Sequence, residues 1–422
     1  MGYKGFDWFS WGLSLLFFSL IGFILYVCGY PLGEYCGLSV SEVFCLDVVS
    51  LYLILLSVLL CVSLLFFISD LSLISIVLLL LSVSCSVLCY CCVNLFWFWC
   101  FYEVSILSLL VLLVVESPYS ERYVASWYFL GYVLLSSLPM LFCLVYLSVV
   151  YGSLNFGYWS VMGELSFSVL LVLCVLFISK IPLIPFHVWL PLVHAEASSP
   201  VSVCLSGYIM KLGILGLCRV CSWVLPHYVF HLVYLIVCML ASVFFFLSAW
   251  GELDGKRWLA FLSLAHISIF CVCLGIAEFD EVELALLYSL GHGLSAGLVF
   301  IMLWILYEMV GSCNWFMLKS LVFGGLFFGC LLVGSLCVVM SFPPTFQFFC
   351  EVYVFVGFTC LSYVFFFFLG CYIFLGGLVP LMLLGGLITR HVSLRCYIGD
   401  VFGRVVSIFY LLFVCLVLFL FV

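Results

Sequence analysis

The sequence predicts an all-α, polytopic membrane protein of about 13–14 transmembrane helices, at ~20 apolar residues per crossing. Three observations lead there. Of its 422 residues, 68% are hydrophobic and 7% are charged, whereas soluble domains carry roughly 25% charged residues. The apolar runs are long and continuous, with none of the period-2 alternation of a membrane barrel. Prolines and ionisable residues then interrupt those runs at two separated places. A large soluble domain has no room in this chain.

Spans are expected at about 8–30, 46–69, 71–92, 94–115, 123–150, 167–190, 199–221, 228–250, 256–277, 282–310, 319–358, 361–388 and 401–422. The N-terminus lacks a basic region followed by a cleavage site, so a span starting near Trp8 is expected, not a signal peptide. Trp8, Trp11, Trp127, Trp159, Trp223 and Trp250 fall near span ends, as interfacial aromatics do. Lys4, Arg122, Lys256, Arg257, Lys319, Arg390, Arg395 and Arg404 also lie near span ends. Counted by spans, they do not all fall on one side. The run 319–358 is too long for one straight crossing and contains Phe342-Pro343-Pro344, which reads as a broken helix.

The chain is organised around the stretch from Ser179 to Arg219. It holds Lys180, His187, His194, Glu196 and Lys211, together with Pro182, Pro185, Pro191 and Pro200. A charge at the centre of a membrane helix costs roughly 2.5–3.5 kcal/mol on insertion scales, so such residues face a bundle interior or a wet path. Broken helices at membrane depth occur only where protein buries them or where they line a cavity. A lysine beside a helix break therefore points to an ion path. The second break, near Pro343-Pro344, lies close to Glu351. Paired interrupted spans in two halves are the pointer to an inverted-repeat transporter.

Each remaining ionisable residue has two readings. Glu103, among Trp and Phe, is either neutral or paired with a cation. Lys180 and Lys211 fit a proton relay, because burial favours the neutral amine; snorkelling to the headgroups is the plainer reading. His266 and His292 titrate nearest neutrality, or are hydrogen-bonded packing residues. Gly293 and Gly297 form a small-xxx-small face that admits a neighbouring helix. Thr345 and Gln347 are expected to bond the backbone freed at the second break. His187, His194 and Glu196 match no metal-ligand spacing.

The 25 cysteines lie mostly inside apolar spans and read as small apolar groups, not as disulfides. No Gly-rich nucleotide loop and no haem or iron–sulfur motif is present, which argues against nucleotide binding and electron transfer by this chain itself. With a net charge of −8, nucleic acid is not an expected partner. Thr occurs only at Thr345, Thr359 and Thr389, and Gln only at Gln347. That scarcity, beside abundant Phe, Leu, Val and Cys, suggests a T-rich organelle gene.

At these residues a resemblance becomes specific. The stretch KIPLIPFHVWLPLVHAEASSPVSVCLSGYIMKLGILGLCR resembles the signature of the proton-pumping antiporter-like subunits of respiratory complex I. FYEVSIL (Glu103), LDGKRWLAFLSLAHIS (Asp254, Lys256, His266), SLGHGLSAGLVF (His292) and PPTFQFFCE (Glu351) follow the family in order, over roughly residues 94–358. The resemblance implies two inverted five-helix antiporter-like repeats, with broken helices near Lys180 and Pro343-Pro344. It implies N-terminal helices over 1–92, a first repeat over 93–225, a second over 226–388 and a C-terminal helix over 389–422. It implies a proton path of Glu103, Lys180, Lys211, His266, His292 and Glu351, with Glu103 partnering Lys180 and Glu351 ending the axis. The family usually carries an arginine after the position of Glu308; here Met309-Val310-Gly311 follows. No cofactor or metal is implied on this chain; NADH, FMN, iron–sulfur clusters and ubiquinone belong to other subunits. Implied partners are neighbouring antiporter-like subunits on both sides and membrane lipids, cardiolipin among them, in the mitochondrial inner membrane. A subunit of a multi-subunit Na+/H+ antiporter shares these motifs, and a non-conducting structural subunit is the third reading.

Overall fold

A backbone in hydrocarbon finds no water, so each crossing must satisfy its own N–H and C=O groups as a helix. The computed structural model describes residues 43–156, 159, 167–221, 229–276, 282–324, 326–357, 362–389 and 402–418. The span expected at 8–30 lies outside the described residues, as do Lys4, Trp8, Trp11, Trp223, Arg390 and Arg395. The described chain is helical: α1 Val48–Leu65, α2 Leu73–Cys91, α3 Leu95–Glu116, α4 Arg122–Tyr151, α5 Phe167–Lys180, α6 Trp189–Glu196, α7 Ser199–Val220 and α8 Leu232–Gly251. Then come α9 Gly255–Ile276, α10 Val282–Val310, α11 Trp315–Gly324, α12 Leu326–Val339, α13 Phe346–Gly357, α14 Tyr363–Ile388 and α15 Phe402–Val417. Nine of these are long and apolar enough to cross a membrane. Among the described residues only isolated bridges such as Asn94–Asn155 and Asp254–Asn314 pair in β fashion, and no disulfide forms.

Two belts of polar contacts mark the two surfaces. In one, Arg404 pairs with Asp70 at 2.8 Å and with Glu308. There Ser72 donates to Glu116 at 2.6 Å, Ser117 to the Glu196 carbonyl, and Lys256 to the Ala197 carbonyl at 2.8 Å. In the other belt, Arg219 pairs with Asp47 at 2.9 Å and donates to the Cys92 carbonyl at 2.6 Å. Arg122, Lys256, Arg257, Lys319 and Arg404 sit at helix ends of the first belt, and Arg219 belongs to the second. Among the described residues the first belt is therefore the more basic, as the side named by the positive-inside rule is; Lys4, Arg390 and Arg395, which the span count included, lie outside them. Arg404, from α15, also supplies Glu308 with the guanidinium that its own loop lacks.

Both expected breaks are present. α5 stops at Lys180 and the chain resumes as α6 at Trp189; α12 stops at Val339 and resumes as α13 at Phe346. Each break contains a cis prolyl bond, Ile184–Pro185 and Pro343–Pro344. Each half also has the same order: three helices, a broken one, then one more. The broken helix of the first half runs toward the basic belt and that of the second half runs away from it, as inverted repeats require. The carbonyls freed at the first break find donors: Trp189 Nε1 reaches Ser179 O at 3.1 Å and Tyr234 Oη reaches Ile184 O at 2.9 Å.

The centre of the bundle is formed by α7, α9 and α10. In the most apolar 18-residue stretch of each helix, every residue of α7 is buried, with 89% in α9 and 78% in α10, against 33% in α4 and α14. α10 is packed on α1 through its glycines. A Cβ on Gly293 would meet Leu56 at 2.8 Å, and one on Gly297 would meet Leu60 at 2.5 Å. A Gly297→Ile variant should therefore lose about 1–3 kcal/mol through overpacking. Its thermal inactivation in detergent should come at lower temperature than that of the parent; an unchanged midpoint would show that α1 moves aside freely.

Candidate functional site

The three most buried helices are the ones that carry Lys211, His266 and His292. Lys180 and Lys211 are each 2% exposed, His266 3%, His292 4% and Glu351 8%. These side chains face the interior, not lipid. Glu103, on α3, is half-buried, and one of its carboxylate oxygens has no partner among the described residues.

Glu103 and Lys180 feel each other's charge, yet they form no ion pair within 4 Å. The Lys180 ammonium instead sits 4.1 Å from the Tyr102 ring centroid and 3.6 Å from Met140 Sδ. The partnership expected from the resemblance is present as an electrostatic coupling at longer range, and a cation–π contact, worth about 2 kcal/mol when desolvated, takes the closer place. The physical reason is position: Tyr102 faces the core, and Glu103, the next residue around the helix, turns toward the rim. A Tyr102→Leu variant removes the ring and should let Lys180 reach Glu103, while Tyr102→Phe should preserve the parent behaviour. Coupled turnover measured in both checks this, and equal loss in the two would rule out a ring effect.

Lys211 lies two residues past a local widening of α7, where Leu205–Ile209 form a π-type turn. Its ammonium donates to the Ser206 carbonyl inside that turn. Such turns are rare and concentrate at functional sites. Between Lys211 and the next ionisable group lies a cavity of about 10 Å³, lined by Ile181, Lys211, Tyr288, Ser289 and His292 among others. That is about the room one water needs, but the surface it exposes is apolar, and the polar atoms of Lys211, Tyr288, Ser289 and His292 do not open onto it in this side-chain arrangement. Both ring nitrogens of His292 are buried without a partner among the described residues. Its ring centre is 5.6 Å from that of His266.

From His266 onward the site is a bonded network. His266 Nδ1 lies 2.6 Å from Tyr372 Oη, 3.0 Å from Gln347 Nε2 and 3.4 Å from Tyr288 Oη. Glu351 Oε1 accepts from Ser341 at 3.0 Å, and from Gln347 and Tyr372 at 3.2 Å each. His266 Nδ1 and Glu351 Oε1 are 3.9 Å apart. Gln347 was expected to bond the freed backbone; it bridges His266 and Glu351 instead, and it accepts from Ser295 at 3.2 Å. Thr345 Oγ1 has no partner among the described residues. The reason is register: the break turns Gln347 inward, one helical turn before Glu351.

The structure thus brings Lys211, His292, His266 and Glu351 within reach of one another in that order, and sets Lys180 within electrostatic reach of Glu103. Sequence reasoning missed Tyr102, Tyr288, Tyr372 and the bridging role of Gln347. It weighed His194 only against a metal site; the side chain is fully buried, has neither nitrogen partnered among the described residues and stacks on Phe300 at 4.8 Å. His194 lies within electrostatic reach of Lys211 and Lys256, so it stands between the axis and the basic belt. In that belt Asp254 caps α9 through the Lys256 N–H at 3.1 Å. Burial raises the Asp254 carboxyl above the ordinary range against the pull of Lys256 and Arg257. Among the described residues no three His, Cys, Asp or Glu converge as a metal site.

A helical membrane bundle with an ionisable row through its middle defines a transporter-type integral membrane subunit. The profile of the NADH:quinone oxidoreductase/Mrp antiporter transmembrane family matches residues 92–376, and the chain belongs to that family. It is 30% identical over 263 residues to "NADH-ubiquinone oxidoreductase chain 4" of Artemia franciscana, covering 62% of this chain and 66% of that one. It is 30% identical over 320 residues to the protein of the same name from Ceratitis capitata, covering 73% and 70%. It spans about two thirds of the length of these relatives. In fold it is similar to a chain of respiratory complex I from Thermus thermophilus, with TM-score 0.81, 18% identity, and 97% and 90% of the two chains covered. It is also similar to a chain of the Mrp complex from Dietzia, with TM-score 0.71, 17% identity, and 93% and 76% covered.

Proposed function

We propose that this chain is a membrane-arm subunit, of the chain 4 type, of mitochondrial NADH:ubiquinone oxidoreductase. It translocates protons across the inner membrane, while NADH, FMN, iron–sulfur clusters and ubiquinone act in other subunits. Neighbouring antiporter-like subunits flank it in the plane of the membrane. The division into repeats at 93–225 and 226–388 belongs to the same reading, with α2, Leu73–Cys91, added to the first repeat to complete its five helices. The observation that carries it is the set of buried ionisable groups, Lys180 and then Lys211, His292, His266 and Glu351, on helices that pack together at the centre of the bundle.

Protons move between Lys180, Lys211 and His292 through buried water. At the far end the transfer is direct. Protonated His266 holds its proton on Nδ1, 2.6 Å from Tyr372 Oη. Tyr372 accepts that proton as its own O–H proton passes to Glu351 Oε1, 3.2 Å away. The tyrosine ends neutral, the histidine neutral and the carboxylate protonated, so charge balances. Gln347 Nε2 donates to Glu351 Oε1 before the transfer, and to His266 Nδ1 once that nitrogen has given up its proton. His194 and Lys256 give the axis a branch toward the basic belt, which is the matrix side in this reading.

The test is NADH-driven quinone reduction by the purified complex in sealed vesicles. Proton movement in sodium-free buffer supports the assignment. Sodium-driven proton exchange without NADH would instead assign the chain to an Mrp-type antiporter.

A further inference from the structure

Where α8, α9, α11 and α14 end together in the basic belt, they leave an open groove of about 210 Å³. Its floor is Trp258 against Trp315, edge to face at 5.5 Å. One wall is Val379, Leu383 and Leu387 of α14, a stripe at i, i+4 spacing. At 1.5 Å per residue, this stripe reaches about 13 Å below the end of α14. Gly386 leaves the wall open, since a Cβ there would meet nothing within 4 Å. At the rim stand Glu252 and Lys319.

We propose that this groove binds one phospholipid with an amine headgroup, of the phosphatidylethanolamine type. The lipid phosphate lies on Lys319, its ammonium on Glu252, and one acyl chain along the α14 stripe. The order of the charges carries the choice. Lys319 is one turn further into the membrane than Trp315, at the start of α11, whereas Glu252 lies in the turn joining α8 to α9. In such a lipid the phosphate is next to the glycerol and the ammonium is outermost, which is the same order. Lys319 donates to Thr389 Oγ1 at 3.2 Å and keeps further hydrogens to donate. Neither Lys319 nor Glu252 has an ion-pair partner among the described residues. The indole N–H of Trp315, in the floor of the groove, is buried without an acceptor among the described residues. A lipid with a bare phosphate and no ammonium would set like charge against Glu252. A groove of this size left without an occupant would forfeit the dispersion contacts of its apolar wall.

The proposal does not depend on the proton path. Its test uses the intact purified complex, stripped of lipid and exposed to phosphatidylcholine vesicles containing either phosphatidylethanolamine or phosphatidylglycerol. Bound lipid is counted by extraction and mass spectrometry. The parent should retain one more phosphatidylethanolamine than Lys319→Gln. Glu252→Gln should bind the two lipids alike. Gly386→Leu fills the groove without touching a charge and should weaken retention about tenfold, or ~1.4 kcal/mol. Equal phosphatidylethanolamine in the parent and all three variants would overturn the assignment. So would a preference for phosphatidylglycerol in the parent, or density for a neighbouring subunit's side chain in the groove.

Discussion

In a Lys211→Ala variant, coupled turnover of the assembled complex should fall about 100-fold or more, the lower range for losing a positioned acid–base group. Lys211 stands alone at the middle of the row. On one side lie Lys180 and Tyr102; on the other, a cavity and then His292. His292 and Tyr288 line that cavity with it, and Lys211 is its one lysine. A Lys211→Arg variant sharpens the test. Arginine keeps the positive charge but does not release its proton. A structural role for the charge predicts recovery with arginine, and a relay role predicts none. NADH-driven proton uptake into vesicles, measured beside quinone reduction, separates the two. Full stoichiometry in the alanine variant would end the path proposed here.

The second large effect is expected at Glu351. Glu351→Gln preserves size and retains an oxygen that can accept from Ser341 and Tyr372, but it cannot take up a proton. Coupled turnover should drop about 100-fold, with assembly unaltered. Tyr372→Phe should cost less, about tenfold, because the 3.9 Å gap between His266 and Glu351 is short enough for a water in place of the hydroxyl. Proton-to-electron ratios on the two variants, normalised to assembled complex, test the ranking. A harmless Glu351→Gln would mean that the row ends before α13.

Much of this was legible in the sequence, for a reason of cost. A lysine in an apolar run needs burial in protein, so Lys180 and Lys211 announce an interior axis. Prolines in long runs announce the two breaks. What the sequence could not show depends on which helices meet. Tyr102 precedes the noticed Glu103, and only the packing of α3 against α5 reveals that its ring takes the ammonium. Gln347 is the single glutamine of the chain, a signal available in advance. Its partners on α9 and α10 are nevertheless distant in sequence. The π-type turn before Lys211 left no mark beyond Gly207. His194 was read only as a poor metal ligand, because its lack of partners is a property of the folded interior.

The central claim is that water joins the two halves of the row between Lys211 and His292. A density map of the intact complex, at a resolution that shows ordered water, tests it most directly. The account predicts at least one water between the Lys211 ammonium and the His292 ring. A gap closed by apolar side chains, with no water and no second rotamer of Lys211 reaching across, would contradict it.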